Sequence, residues 1–220
     1  MATLLSGFSG SFDDLRVVCG VAAWLTFPPG CLFWLGVHPF AEFWRRAGLV
    51  CYATYVTSVY VLWFAASWPW RDVWLGTPLG LGFAGAVGGG VLLAGGVGIA
   101  VVRTRTLPTA WLFGAGQVRG GRLLTDGLYA HVRHPRYVEA MLQLAGLVLL
   151  SDRLGVASLL LICPAILAAV IPFEEKELAR RFGAEYEAYA SRTPRFWPRK
   201  AAADTGDADG PHRFDHDEDR

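Results

Sequence analysis

Residues 73–102 read VWLGTPLGLGFAGAVGGGVLLAGGVGIAVV, a run of 30 positions without Asp, Glu, Lys or Arg. About 20 consecutive apolar residues suffice to cross a bilayer as a helix. Helices satisfy all their backbone hydrogen bonds internally, so they are the default spanning structure when strand patterning is absent. Similar charge-free runs lie on either side: Val17 to Ala41, Ala47 to Trp70 and Leu154 to Phe173. Ala140 to Ser151 is also uncharged but short, and needs Tyr137, Val138 and Glu139 to approach spanning length.

The reading is an all-α, polytopic integral membrane helical bundle of about five transmembrane helices. The spans fall at about 15–38, 47–68, 79–102, 137–151 and 154–173, the fourth short or partly re-entrant. Asp152-Arg153 predicts a tight turn, so the last two spans form a C-terminal helical hairpin. Composition agrees: 53% of the 220 residues are hydrophobic and 18% charged, against roughly 25% charged in soluble domains. Asp13 and Asp14 precede the first run and no basic segment opens the chain, which argues against a signal peptide. Pro28-Pro29 predicts a kink or break in the first span.

The Lys/Arg bias sets orientation. One face collects Arg45 and Arg46, six Arg between Arg103 and Arg136, and nine Lys/Arg from Lys176 onward. The other collects Arg16, Arg71 and Arg153. The expectation is a multi-pass cell-membrane protein with its N-terminus outside and its C-terminus cytoplasmic. The net charge of +1 gives no reason to expect a nucleic-acid partner. Cys19, Cys31, Cys51 and Cys163 all lie in apolar runs without a C-x-x-C spacing, and read as small buried hydrophobes.

Span three is rich in glycine, and small residues let helices approach closely in lipid. A second reading of Gly96-x-Gly98 is room for a ligand beside the helix. Residues 103–136 form a long cytoplasmic connection containing Pro108, Trp111 and a Gly-rich turn at Gly114 to Gly121. After Phe173, Leu178, Phe182, Tyr186 and Tyr189 form the stripe of a cytoplasmic amphipathic helix, which Thr193-Pro194 ends. Phe196 and Trp197 suit the headgroup level. Residues 1–200 read as one membrane domain and 201–220 as a disordered acidic tail.

The polar residues at the ends of the last two spans carry the chemistry. Gly127-Leu-Tyr129-Ala-His131-Val-Arg133-His134-Pro135-Arg-Tyr137 opens span four. Phe173-Glu174-Glu175 closes span five. Pro135 suits the first helical position, leaving the N–H groups of Arg136 and Tyr137 for an anion, with His134 and Arg133 beside them. Glu174 or Glu175 can accept from an amine or a ribose hydroxyl. Adjacent helical residues point about 100° apart, so one Glu faces inward and the other outward or sideways. An anion site beside a carboxylate suits an amino-acid-like zwitterion. Glu139 and Gln143 share one face of span four and should face protein. His131-x-x-His134 lacks a third ligand, and His212-x-x-x-His216 lies in the tail, so no metal site is expected.

Gly127-x-Tyr129-x-x-x-Arg133-His134-Pro135-x-Tyr137, the apolar hairpin, Glu174-Glu175-x-x-Leu178, Phe182-Gly183, Tyr186, Tyr189 and Pro194-Arg195 together resemble the isoprenylcysteine carboxyl methyltransferase family. They are also similar to the membrane phospholipid N-methyltransferases. The resemblance covers about residues 95–198. It implies S-adenosylmethionine as methyl donor, bound on the cytoplasmic side by this half, and a lipophilic acceptor entering from the bilayer among membrane lipids. It implies cofactor-binding roles for Gly96, Gly98, Tyr129, Arg133, His134, Pro135, Tyr137, Glu174 and Glu175. Glu174, Glu175 and His134 are the candidate catalytic groups. One departure is that Ala169 to Phe173 carries no Arg, where the prenylcysteine enzymes place one toward the acceptor carboxylate. A carboxylate or thiolate acceptor needs no base, whereas an amine or hydroxyl could use Glu174, Glu175 or His134. The alternatives are a membrane reductase of the sterol-reductase type using a nicotinamide cofactor, and a non-enzymatic membrane scaffold.

Overall fold

The computed structural model describes residues 12–106 and 122–197. The expected tail at 201–220, His212, His216, Pro108, Trp111 and the Gly114 to Gly121 turn lie outside the described residues.

Among the described residues six longer helices stand out: α1 (Phe12–Val37), α2 (Ala41–Ser67), α3 (Gly82–Thr106), α4 (Pro135–Ser151), α5 (Leu159–Phe182) and α6 (Ala184–Arg192). Short helical turns at Trp68–Trp70 and Arg71–Trp74 extend α2, and one at Leu154–Ala157 leads into α5. Among the described residues four helical stretches are long and apolar enough to cross a membrane: Phe12–Val37, Ala41–Trp74, Gly82–Arg105 and Leu154–Phe182. The expected fourth span, α4, has 17 residues, or about 25 Å at 1.5 Å per residue, short of a full crossing. The fold is an all-α polytopic membrane bundle, as its hydropathy predicts.

Three boundaries differ from the expectation. α1 runs through Pro28-Pro29 as one helix; both prolines are fully buried, and neighbouring groups can re-satisfy the freed backbone. α2 begins at Ala41, and its irregularity falls at Gly48, where φ is 80°. The fifth helix continues past Phe173 to Phe182, so Glu174 and Glu175 lie within it. Gly183, with φ 52°, then breaks the chain. The aromatic stripe is therefore divided between α5 and α6, where Leu123, Tyr186 and Tyr189 form a small core with Leu178 and Phe182.

α4 is the hub, packed against α3, α1 and α5. Its contact with α3 uses the glycines. A Cβ at Gly89 would stand 2.8 Å from the carbonyl oxygen of Gly146, and one at Gly146 would stand 2.6 Å from the Leu93 nitrogen. Such backbone approach substitutes for the hydrophobic drive that helices lack in lipid. The main core joins Phe27 and Cys31 of α1, Tyr137, Leu144 and Val148 of α4, and Leu159, Cys163 and Leu167 of α5. Cys19, Cys31 and Cys163 are buried as expected, whereas Cys51 is exposed on α2. Val50, Leu62, Phe83, Val91 and Leu161 also project outward, as a lipid-facing surface requires.

The far end of the α4–α5 hairpin is tied by Asp152, in the left-handed conformation. Its carboxylate accepts from the Leu81 N–H at 2.9 Å and meets Arg16 at 3.1 Å. That tie holds the α3, α4 and α1 ends together opposite the site.

Candidate functional site

The His134-Pro135 corner, the end of α5, the α1–α2 corner and α6 converge on one cavity of about 130 Å³. Its walls include Trp34, His38, Tyr129, His134, Tyr137, Glu174, Arg181 and Tyr186. Of the expected cofactor residues, Tyr129, Arg133, His134, Pro135, Tyr137 and Glu174 line it.

The two adjacent glutamates separate in role. Glu174 faces the cavity, and its Oε2 accepts a hydrogen bond from the Tyr137 hydroxyl at 2.7 Å. His134 Nδ1 is 3.5 Å from the same oxygen, and His38 Nε2 is 3.9 Å away. Glu175 points instead into a cationic clasp. It accepts from Arg133 at 3.0 Å and from Arg195 at 2.9 and 2.5 Å, and its Oε1 lies 3.1 Å from His134 Nε2.

Of the two N–H groups expected to receive an anion, one is taken by the protein itself. The Tyr137 N–H donates to the His134 carbonyl at 3.1 Å, so it is not free. Arg133 donates from its side chain to the Ala190 carbonyl at 2.6 Å and from its backbone to Pro194 at 2.8 Å. The His134 N–H donates to the Arg195 carbonyl at 3.0 Å. Arg133, Glu175 and Arg195 therefore dock the segment after α6 onto the His-Pro corner. His134 stacks on Tyr137, centroids 5.3 Å apart. Tyr189 donates its hydroxyl to the Tyr129 carbonyl at 2.8 Å. Burial pushes the Tyr129 phenol up and that of Tyr186 up to about 12, so both stay neutral donors at physiological pH.

Gly96 and Gly98 stand apart from this cavity. A Cβ at Gly96 would lie 2.7 Å from Gln143 Cγ and 3.1 Å from the Glu139 carbonyl, so Gly96 serves helix contact. Nothing lies within 4 Å of a Cβ at Gly98. Glu139 faces protein as expected, buried against Arg103.

Sequence reading missed Trp34, His38, Arg136 and Arg181. A histidine ending a charge-free run was a usable signal, since polar groups near membrane depth are costly without a role. A second cavity, of about 330 Å³, lies between α1, α2 and α4. It shares Trp34, Arg103, Arg136 and Tyr137 with the first. Among the described residues no group of three or more His, Cys, Asp or Glu could hold a metal ion.

Residues 99–180 match the isoprenylcysteine carboxyl methyltransferase family, as the motif set anticipates. The chain is 28% identical to the nickel-cobalt-cadmium resistance protein NccN of Alcaligenes xylosoxydans xylosoxydans over 162 residues, 73% of this chain and 69% of that protein. It is 36% identical to the cobalt-zinc-cadmium resistance protein CzcN of Cupriavidus metallidurans over 106 residues, 47% of this chain and 48% of that protein. No solved structure matches the chain. The family match supports a membrane methyltransferase.

Proposed function

We infer that residues 1–200 form one membrane domain that uses S-adenosylmethionine to methylate a lipophilic acceptor reaching it from the bilayer. The Lys/Arg bias supports a cytoplasmic site, with the N-terminus outside and the C-terminus inside. The observation that carries the reading is Glu174: a carboxylate oriented by Tyr137, facing a cavity walled by aromatic rings and arginines.

The donor set fits this methyl donor. Glu174 would accept from its ammonium group or ribose hydroxyls. Arg181, at the cavity wall, would meet its carboxylate. The rings of Tyr129, Tyr137 and Tyr186 offer π faces to a purine and a sulfonium cation. Bound S-adenosylmethionine would supply a methyl group activated by positive sulfur. The protein's share is then orientation and exclusion of water, since in-line displacement rewards positioning above all. On this reading Glu175 is a clasp that fixes His134 and closes the C-terminal segment over the site, while Gly96 serves packing.

The test is calorimetric titration of the detergent-purified protein with S-adenosylhomocysteine, with Glu174→Ala alongside. Saturable binding that the variant loses is the expected result. A folded wild-type protein that does not bind would overturn the reading and direct the search to nicotinamide cofactors, then to a scaffold.

A further inference from the structure

His38 closes the corner between α1 and α2, outside the stretch that matches the family. Its ring is buried, and neither Nδ1 nor Nε2 has a hydrogen-bond partner among the described residues. His134, the other buried histidine, meets a carboxylate on each nitrogen. A neutral imidazole carries one donor and one acceptor. Leaving both unmet in the interior is costly, and proteins keep such groups where they serve a purpose.

The surroundings indicate the purpose. His38 lies flat on Trp34, centroids 5.0 Å apart and planes 21° apart, which fixes the ring. Its Nε2 stands 3.9 Å from Glu174 Oε2, the carboxylate oxygen held by Tyr137. A shift of under about 1 Å brings that pair to hydrogen-bond distance. Arg136 also sets its guanidinium 4.6 Å from the Trp34 ring centroid. Arg136 lines both cavities and meets no carboxylate among the described residues. Arg136 and the paired Arg103 and Glu139 edge the second cavity, whose lining also holds the apolar side chains Phe27, Phe33, Val56, Met141 and Leu167 beside Thr26, Tyr60 and Gln143.

We propose that Glu174, with His38 behind it as a positioning residue, takes a proton from the methyl acceptor, and that the acceptor is a lipophilic thiol or hydroxyl compound whose body lies in the second cavity and whose X–H end reaches the first past Arg136 and Tyr137, which line both. The inference rests on the methyltransferase reading. The X–H bond breaks and its electron pair stays on X. The proton goes to Glu174 Oε2 and on to His38 Nε2. The pair on X forms the new bond to the methyl carbon as the carbon–sulfur bond breaks, and that bond's electrons stay on sulfur. The products are X–CH₃, a thioether and a proton on His38. Arg136 favours X as it becomes negative and disfavours a protonated amine. A carboxylate acceptor is already ionised at neutral pH and would leave His38 without a task.

At neutral pH the ring is ready to receive. Burial holds its pKa below the ordinary imidazole value. Glu174 and Glu177 of α5 oppose that, while His134 and Arg136 reinforce it.

The test uses full-length protein with ¹⁵N-labelled histidine in nanodiscs, titrated without added ligand. Glu174→Gln should lower the His38 titration midpoint by about one pH unit, as loss of an adjacent opposite charge does. His38→Gln, which can hydrogen-bond but takes up no proton, should lower kcat for methylation of dodecanethiol about 100-fold. It should also abolish the acidic limb of the pH profile, with a much smaller change in S-adenosylhomocysteine affinity. A His38 midpoint that ignores Glu174→Gln overturns the proposal. So does wild-type protein that methylates dodecanoate but not dodecanethiol, or a His38→Gln variant with the wild-type pH profile. If neither probe is methylated, the His38 midpoint decides alone. Wild-type protein that fails to bind S-adenosylhomocysteine removes the methyltransferase reading itself, and this inference with it.

Discussion

Arg103 of α3 and Glu139 of α4 meet in a two-point ion pair at 2.6 and 3.2 Å, with both side chains about nine-tenths buried. It lies where the glycine-lined contact of these helices reaches the site. Removing one member leaves an uncompensated buried charge, which costs about 3–5 kcal/mol. Arg103→Met should therefore lower the thermal unfolding midpoint in mild detergent sharply. Arg103→Met with Glu139→Leu should recover most of the loss, because no charge is left unpaired.

The α3–α4 contact gives a second expectation. Gly146→Ala places a methyl group 2.6 Å from backbone, and overpacking of this kind costs about 1–3 kcal/mol. Gly90→Ala meets nothing within 4 Å and should be neutral or stabilising by about 0.5–1 kcal/mol. Thermal unfolding of the two variants side by side checks the contrast.

Tyr137→Phe removes the hydroxyl that orients Glu174 and leaves the ring in place. One hydrogen bond is worth about 1 kcal/mol, so the S-adenosylhomocysteine dissociation constant should rise roughly five-fold. Calorimetry reads this directly; unchanged affinity would mean that Glu174 needs no such support.

Glu175→Ala should leave Arg133, His134 and Arg195 without their shared carboxylate. The segment after α6 then loses its clasp. Limited proteolysis should cut the variant near Gly183 faster than the wild type, by roughly ten-fold for each 1.4 kcal/mol of docking lost when opening is rapid.

Truncation after Lys200 should leave S-adenosylhomocysteine affinity unchanged. Among the described residues, the charged groups that line the cavity lie between Arg103 and Arg181, with His38 from the first corner. Loss of binding in the truncated protein would assign the tail a part in the site.

Hydropathy made the helices legible, because a charge-free run such as 73–102 has few folded solutions in lipid. The same reasoning found the polar cluster: Tyr129, His134, Tyr137 and Glu174 do line one cavity. Gly96 misled, since in a glycine-rich helix close packing and ligand room look alike until the partner helix is in place. Arg133 lines the cavity, but its contacts were not legible. Its neighbours in sequence suggest an anion site, but its partners, Ala190 and Glu175, lie 57 and 42 residues away.

The chain's local chemistry thus settles which segments are helical, which lie in lipid, and that the polar groups beside Pro135 and after Phe173 share one end of a hairpin. It does not choose between Glu174 and Glu175. That choice depends on how α5 is rotated, which the packing of Leu159, Cys163 and Leu167 against α1 and α4 establishes. Nor does it bring His38 to Glu174 across 136 positions of sequence; the α1–α4 and α1–α5 contacts do so. Helix formation is governed by bonds four residues apart, whereas a site is governed by distances between helices, and only the packed core sets those.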